Sequence, residues 1–260
     1  MDAIPASRAV PPTAPVKIIG SYLSPYVRKV LVCLHEKGIP YEIDPIVPFF
    51  GDERFSRLSP VRRIPVLIDD AVTLCDSSVI CQYLEDRHAM PALYPGDVAA
   101  RAQARWLEEY ADTRMGEVFI WRLFNQRVIG PFVWGEPTDQ SVVDRTLAED
   151  VPQVLDYLEA QAPADGFLFG AFSIADVSVA VFFRNAAWAR FTIDAARWPR
   201  VAALVARVLG RESFARLRPF EETSLRTPLR QQRDALRAAG APIMTETYGT
   251  AAPRRGVMRI

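Results

Sequence analysis

The stretch that decides the fold is residues 16–38, which read VKIIGSYLSPYVRKVLVCLHEKG. Its first four residues are a β-branched run that ends at a glycine and predicts a buried strand. The dipeptide Ser24-Pro25 is typical of a helix start, with serine as the N-cap and proline at the first helical position. Apolar residues then recur at helical spacing until a glycine ends the pattern. A further strand expected at residues 41–46 completes a unit with two parallel strands.

The next segment predicts a hairpin and another helix. Residues 64–68 and 71–74 are short strand-like runs on either side of two aspartates, which indicates antiparallel pairing. Asp76 and Ser77 then open a helix with one apolar face that ends near residue 88. With a short helix expected at residues 52–58, the order is βαβ followed by αββα.

A loop with two prolines and a glycine, residues 89–96, predicts a domain boundary. Beyond it the pattern predicts only helices, over residues 97–125, 140–161, 173–191 and 199–217. We therefore expect an α/β domain and then an all-helical domain, over residues 16–88 and 97–220. An irregular N-terminal arm and a C-terminal extension flank them, residues 1–15 and 221–260. The extension is expected to pack one helix, residues 227–239, on the body and to finish as a loose end.

Composition excludes several classes of function. Of 260 residues, 50% are hydrophobic, and 31 basic residues balance 31 acidic ones. Without a positive field, nucleic acid and anionic membranes are not expected partners. No uncharged apolar run approaches the roughly 18–20 residues that span a bilayer, and the start lacks a signal-peptide pattern, which predicts a soluble cytoplasmic protein. Three cysteines without CxxC spacing and two histidines support neither a disulfide framework nor a metal site.

Pro65 stands inside a predicted strand, where proline cannot donate a ladder hydrogen bond. A cis Ile64-Pro65 bond would leave the backbone groups of Ile64 free to pair with an extended peptide. An ordinary trans proline at a strand start is the alternative, and the local sequence alone favours it.

Ser24 and the pair Asp76-Ser77 each stand at a predicted helix N-terminus, where unpaired N–H groups and the helix dipole stabilise anions. A carboxylate and a hydroxyl side by side could hold both charged groups of a free α-amino acid end. Both places could also serve only as helix caps. An acylating triad is not indicated, since Ser24 is not in a GxSxG context.

Three segments together resemble the cytosolic glutathione transferase family: residues 24–27, SPYV, residues 59–67, SPVRRIPVL, and residues 74–84, LCDSSVICQYL. The resemblance covers about residues 16–220 and implies a thioredoxin-like domain followed by an all-helical one. Residues 173–176, SIAD, are similar to the helix-capping box of this family. Ser59, Arg62 and Asp76 stand where the family commonly has Asn, Gly and Glu.

The resemblance implies glutathione as co-substrate, without a metal. Ile64 before a cis Pro65 would pair with the cysteinyl backbone of glutathione, and Asp76 and Ser77 would hold its γ-glutamyl end. Arg63 completes the predicted glutathione-binding set.

The segment SPYV looks like a glutaredoxin motif with both thiols removed, which disfavours dithiol redox chemistry. It resembles the serine-type transferases, so Ser24 is the predicted catalytic residue, donating a hydrogen bond to the thiolate that attacks an electrophilic, largely apolar co-substrate. Tyr22 is the alternative donor, as in tyrosine-type relatives. The co-substrate pocket is expected at Tyr22, Tyr26, Tyr110, Arg114, Met115 and Val118. Each of the last four could instead serve core packing or a subunit contact.

Other functions stay open at this point. A glutathione-dependent lyase, dehalogenase or isomerase would use the same thiolate, and a non-catalytic glutathione-binding protein could keep the same fold. The presence of Ser24 favours an enzyme. The resemblance also implies a role in detoxification of small electrophiles, and a homodimer in which the α/β domain of one subunit meets the helical domain of the other.

Overall fold

The structure is a computed structural model that describes residues 15–255. The predicted N-terminal arm, except for its last residue, and the last five residues of the extension lie outside this range. Among the described residues, no helix combines the length and the apolar character needed to cross a bilayer.

A four-stranded sheet forms the first domain, in the order β2-β1-β3-β4. Its strands are β1 (Val16–Ile19), β2 (Tyr41–Asp44), β3 (Val66–Ile68) and β4 (Thr73–Cys75). β1 and β2 are parallel, with Val16 opposite Tyr41, and β3 is antiparallel to both β1 and β4. The strands are joined or followed by α1 (Pro25–Glu36), α2 (Glu53–Leu58) and α3 (Ser77–Arg87). This is the predicted thioredoxin-like arrangement.

The second domain is helical, as predicted. Its elements are α4 (Val98–Tyr110), which continues with π-type hydrogen bonding over Ala111–Trp134, α5 (Gln140–Arg145), which continues over Thr146–Asp150, α6 (Val151–Gln161), α7 (Ile174–Trp188), α8 (Pro199–Leu209), α9 (Glu212–Ala215), α10 (Arg218–Arg226) and α11 (Gln232–Ala238). α7 is buried along most of its length and forms the centre of the core. Its capping box is present, with the Asp176 carboxylate accepting from the Ser173 backbone and hydroxyl, both at 2.9 Å.

Three predicted element boundaries are wrong. β2 stops at Asp44 because the next residue, Pro45, has no N–H to donate to the ladder. The helix predicted over residues 97–125 runs on to Trp134 in spite of Pro131. The helix predicted over residues 199–217 breaks after α8 into two shorter helices, and α10 crosses the expected boundary at residue 220.

The loose end predicted for the extension is also wrong. Residues 242–244 lie along the outer edge of β2, where the Ile43 N–H donates to the Pro242 carbonyl at 2.8 Å and the Ile43 carbonyl accepts from the Met244 N–H at 3.0 Å. Further along, the Asp52 N–H donates to the Tyr248 carbonyl at 2.7 Å. The extension therefore covers a sheet edge that would otherwise present unpaired backbone groups.

A buried arginine joins the two domains. Arg28 of α1 is fully buried and pairs with Glu221 of α10. Its guanidinium also donates to the Val181 carbonyl at 2.8 Å and to the Asn185 side chain at 2.9 Å. Because an unpaired buried charge is costly, these partners fix how α1 sits against α7 and α10.

Candidate active site

A cavity of about 1110 Å³ lies where the α/β domain, the long helix that follows α4 and the C-terminal extension meet. Six predicted site residues line it: Ser24, Tyr26, Arg63, Ile64, Asp76 and Ser77. Pro65, the remaining residue of the predicted glutathione-binding set, is buried and does not line the cavity. Residues 15–255 contain no group of three or more His, Cys, Asp or Glu side chains placed to hold a metal ion.

Ser24 is the N-cap of α1, as its sequence context predicts. Its Oγ accepts a hydrogen bond from the Val27 N–H at 3.3 Å, and the side chain lines the cavity. No described residue accepts the hydroxyl hydrogen of Ser24. The hydroxyl can therefore donate to an anion in the cavity, beside the positive end of the α1 dipole.

The Ile64-Pro65 peptide bond is cis, the form that the local sequence alone disfavours. Within the described range, neither backbone group of Ile64 has a hydrogen-bond partner, and Ile64 lines the cavity. The preceding turn is fixed by Ser59, whose hydroxyl donates to the Arg63 carbonyl at 2.9 Å and accepts from the Arg63 N–H at 3.0 Å. An extended peptide lying in the cavity would find a free donor and acceptor here.

Asp76 caps α3 from an unusual backbone conformation, with φ at 75°. Its Oδ1 accepts from the Ser78 N–H at 2.9 Å and the Val79 N–H at 3.3 Å. A residue other than glycine at positive φ costs of order 1–3 kcal/mol, and such strain concentrates at functional sites. Ser77 is buried beside it, with its hydroxyl 3.5 Å from Asp112 Oδ2.

A buried charge cluster beside the N-terminus of α3 was not predicted from the sequence. Lys29 is fully buried and donates to Ser78 Oγ at 3.0 Å, Glu108 Oε1 at 3.0 Å and Asp112 Oδ2 at 2.5 Å. Burial alone would lower the pKa of Lys29, but Asp112 and Glu108 outweigh it and raise that pKa. Lys29 lies opposite the predicted apolar face of α1, but Val32 and Cys33 follow it at i+3 and i+4. A lysine among apolar helix neighbours is the sequence signal that could have pointed to a buried carboxylate.

Asp112 is the second residue that was missed, and it lines the cavity. Its Oδ2 accepts from Lys29 and, at 2.8 Å, from the Ser78 hydroxyl. Its Oδ1 is buried and has no hydrogen-bond partner among the described residues. A carboxylate oxygen in that position is ready to accept from a ligand, since buried acceptors are rarely left unpaired.

Five of the six predicted co-substrate residues do not line the cavity. Tyr22, Met115 and Val118 are core residues, each at most 1% exposed. The Tyr110 ring packs on Tyr157 with centroids 4.4 Å apart, and Arg114 pairs with Asp150 and Glu117. Of the six, only Tyr26 lines the cavity.

The residues of the long helix that line most of the cavity wall come later in the sequence than the predicted ones. Its lining residues are Ile120, Trp121, Phe124, Val128, Ile129, Phe132 and Val133. They follow helical spacing, but the sequence pattern ended the predicted helix at residue 125 and so lost most of this face.

Tyr22 is badly placed for the alternative role of thiol donor. Burial raises the pKa of its hydroxyl far above the usual value, and its ring packs against Phe220 with centroids 5.1 Å apart. Tyr26 does reach the cavity, but its hydroxyl donates to the Asp112 carbonyl at 3.0 Å. Of the Tyr22, Tyr26 and Ser24 hydroxyls, only that of Ser24 lines the cavity without donating to a described residue.

Comparison with known proteins gives a consistent picture. Residues 18–92 match the family model described as "Glutathione S-transferase, N-terminal domain". Among curated proteins, the chain is 30% identical over 225 residues to "Glutathione S-transferase 3" of Zea mays, covering 83% of this chain and 96% of that protein. It is 28% identical over 211 residues to "Uncharacterized GST-like protein YibF" of Escherichia coli K12, covering 78% of this chain and 98% of that one.

Solved structures show the same likeness. A glutathione S-transferase from Rhodospirillum rubrum F11 superposes with a TM-score of 0.74 at 27% identity, covering 85% of this chain and 99% of the other. The structure of glutathione S-transferase-I bound with lactoylglutathione superposes with a TM-score of 0.69 at 25% identity, covering 78% and 98%. Both likenesses extend through the α/β and helical domains.

Proposed function

This chain belongs to the glutathione S-transferase family, and from that premise we propose that Ser24 holds the glutathione sulfur as a thiolate for attack on an electrophile. The observation that carries the proposal is the Ser24 hydroxyl at the N-terminus of α1, lining the cavity with its hydrogen unused. We therefore assign the enzyme to the serine type, and the burial of the Tyr22 side chain in the core argues against Tyr22 as the donor.

The energy required is within reach of these groups. A free thiol has a pKa near ~8.5 and is only a few per cent ionised at neutral pH. Lowering that pKa by about 2 units takes roughly 2.7 kcal/mol of preferential stabilisation of the anion. One hydroxyl donor and a helix N-terminus supply this amount together. The thiolate then forms a carbon–sulfur bond, and the leaving group departs with its electron pair.

Glutathione would lie in the cavity, and each part of the peptide would meet a protein group that has no other hydrogen-bond partner or that lines the cavity. The backbone of Ile64 pairs with the cysteinyl backbone, as an added strand would. Asp76, Ser77 and the unpartnered Oδ1 of Asp112 hold the γ-glutamyl end, the two carboxylates taking its ammonium group. Arg63, which is exposed on the cavity wall, meets a carboxylate of the peptide.

The electrophile would bind on the apolar side of the cavity. The rings of Trp121, Phe124 and Phe132 form this wall, which suits a largely apolar body. The cellular role that we propose is detoxification of small electrophiles in the cytoplasm. Lyase, dehalogenase and isomerase chemistry need the same thiolate, and a panel of electrophiles separates them from conjugation by their products.

Ser24→Ala tests the proposal. We expect the rate of conjugation at neutral pH to fall about 10- to 100-fold, equivalent to roughly 1.4–2.7 kcal/mol, with little loss of glutathione affinity. The ultraviolet absorbance of the bound thiolate should titrate at higher pH in the variant, because the donor that stabilises the anion is gone. Steady-state kinetics and this titration check the two expectations.

Tyr22→Phe is the matched control, since it also removes a single hydroxyl and should leave both readouts unchanged. Full turnover in Ser24→Ala together with collapse in Tyr22→Phe would contradict the assignment and move the role to Tyr22. Glutathione binding without turnover in the unmodified enzyme would instead favour the non-catalytic alternative.

A further inference from the structure

The C-terminal extension forms a wall of the cavity that glutathione alone does not account for. The extension residues that line the cavity are Ser224, residues 226–232, Ala251 and Pro253. They face the same space as the apolar side chains of the long helix. The co-substrate end of the site is therefore closed by a segment outside the region on which the family resemblance rests.

This wall is held in place by two neighbouring side chains. The Gln232 side chain donates to the Ser224 carbonyl at 2.6 Å and to the Thr227 carbonyl at 3.1 Å, which fixes the turn between α10 and α11. Arg233 then reaches the fully buried Asp44 at the end of β2, at 2.5 Å. The segment is a built part of the site, because each of these contacts is buried or half-buried.

The cavity lining carries charges of both signs. The acidic residues Asp76 and Asp112 lie at or beside the N-terminus of α3, which follows β4. Of the cationic lining residues, Arg63 belongs to the α/β domain, whereas Arg226 and Arg230 belong to the extension, which is anchored on β2. The acidic pair and the extension are therefore anchored at opposite edges of the sheet, β4 and β2.

Arg226 and Arg230 differ from the other arginines of the extension. Arg233, Arg237 and Arg254 each pair with a carboxylate: Asp44, Asp234 and Glu53. Within residues 15–255, Arg230 has no such partner, and Arg226 only approaches Glu222 at 4.0 Å, with both side chains exposed. Two guanidinium groups beside an apolar wall can therefore bind an anion without breaking a strong ion pair.

We propose that Arg226 and Arg230 select electrophiles that carry an anionic group on an elongated apolar body. This inference rests on the proposed function and specifies its co-substrate. The apolar body would lie along Trp121, Phe124 and Phe132, and the anionic group would bind at the extension. Glutathione keeps its γ-glutamyl ammonium at the acidic pair beside the N-terminus of α3.

A carboxychalcone and its methyl ester are suitable test substrates, since they share an elongated apolar body. They differ in one group, which is an anionic carboxylate in the acid and a neutral ester in the other. In both, the thiolate adds to the β-carbon of the enone and a proton from solvent completes the α-carbon, so nothing leaves. We expect Arg226→Gln/Arg230→Gln to raise the KM for the acid about three- to tenfold relative to the ester, the range of a few exposed charge contacts. The KM for glutathione and the turnover of the ester should be unchanged.

Arg237→Gln is the matched control, because it removes an extension arginine that does not line the cavity. An unchanged ratio of the two KM values in the double variant would overturn the proposal. An equal rise for both substrates with a raised KM for glutathione would overturn it too, since the arginines would then bind the glycyl carboxylate.

Binding of the saturated, unreactive analogues separates this proposal from the proposed function. If the unmodified enzyme conjugates neither substrate nor any electrophile of the panel, the proposed function fails, while titration of the saturated acid and its methyl ester still measures the effect of the arginines on binding. A preference for the saturated acid that disappears in the double variant supports the proposal, and no preference contradicts it.

Discussion

Asp76 has a structural role as a helix cap, and under the proposed function the same side chain also binds glutathione. Its Oδ1 caps α3 through two backbone N–H groups, while its charge faces the cavity. Asp76→Asn keeps an acceptor for the cap and removes only the charge. We expect it to weaken glutathione binding by roughly 1.5–3 kcal/mol, the value of a charge-assisted hydrogen bond, and to leave turnover at saturation nearly unchanged. Calorimetric titration with glutathione measures this.

Asp76→Ala is the harsher comparison, since it should show the same loss of affinity and also about 1 kcal/mol lower stability from the missing cap. An unaltered dissociation constant in both variants would refute the role of Asp76 in binding.

At the level of residues, the sequence predicted groups whose role depends on local geometry. Ser24 and Asp76 could be predicted because a helix cap and the N–H groups that it accepts from lie within four residues of sequence. Lys29 and Asp112 could not, because their meeting depends on how α1, α3 and the long helix pack. The predicted co-substrate residues other than Tyr26 do not line the cavity for a similar reason: the side that a helix turns to a cavity is set by its partners.

The β3–β4 hairpin depends on one aspartate that links it to α3. Asp69 Oδ1 accepts from the Ala71 and Val72 N–H groups at 2.9 and 2.8 Å, and Oδ2 accepts from the Tyr83 hydroxyl at 2.5 Å and from Arg87 at 2.9 Å. Burial alone would raise the pKa of Asp69, but these bonds together lower it. The stabilisation is therefore fully present above the unfolded-state pKa of about 3.9 and is lost as pH falls through the lower folded-state pKa.

Asp69→Asn should lower the free energy of unfolding by roughly 1.5–3 kcal/mol at neutral pH, with a deficit that shrinks in acid. Denaturant titrations at neutral pH and at about pH 3 measure the difference from the unmodified protein. Asp70→Asn, at the exposed neighbour, should stay within about 0.5 kcal/mol. A deficit for Asp69→Asn that is the same at both pH values would contradict a charge-based role.

Elements with a strong local pattern were predictable, and elements set by distant contacts were not. The sheet strands, α1 and α3 follow from periodicity, caps and turns. The course of residues 242–244 along β2 depends on hydrogen bonds of Pro242 and Met244 with Ile43, about 200 positions earlier. Nothing in the composition of the extension distinguishes a segment bound to a sheet edge from a loose end.

For the whole molecule, the two-domain architecture was predictable but its junction was not. Arg28 lies outside the predicted apolar face of α1, where the pattern predicts exposure to solvent. The side chain is instead buried against Glu221. The partner is supplied by α10, which the sequence assigned to the extension. The active-site cavity exists because this junction brings both domains and the extension together.

Assembly is the property of the whole molecule that we predict last: a twofold-symmetric homodimer in which the α/β domain of one subunit meets the helical domain of the other. Exposed apolar side chains occur on both domains, with Val79 48% exposed on α3 and Trp106 56% exposed on α4. A contact that covers both would bury apolar surface that a small α/β domain cannot bury alone. Light scattering at micromolar concentration should give a mass near twice 29.1 kDa.

Trp106→Arg should shift the equilibrium toward the single-chain mass, because the substitution places a charge in the predicted interface. Phe132→Arg is the matched control: Phe132 is 75% exposed but lines the cavity, so its replacement should impair the electrophile site and leave the mass unchanged. A stable, fully active monomer of the unmodified chain would contradict the dimer and leave the assignment of Ser24 and Asp76 intact, since both side chains and the cavity that they line belong to one subunit.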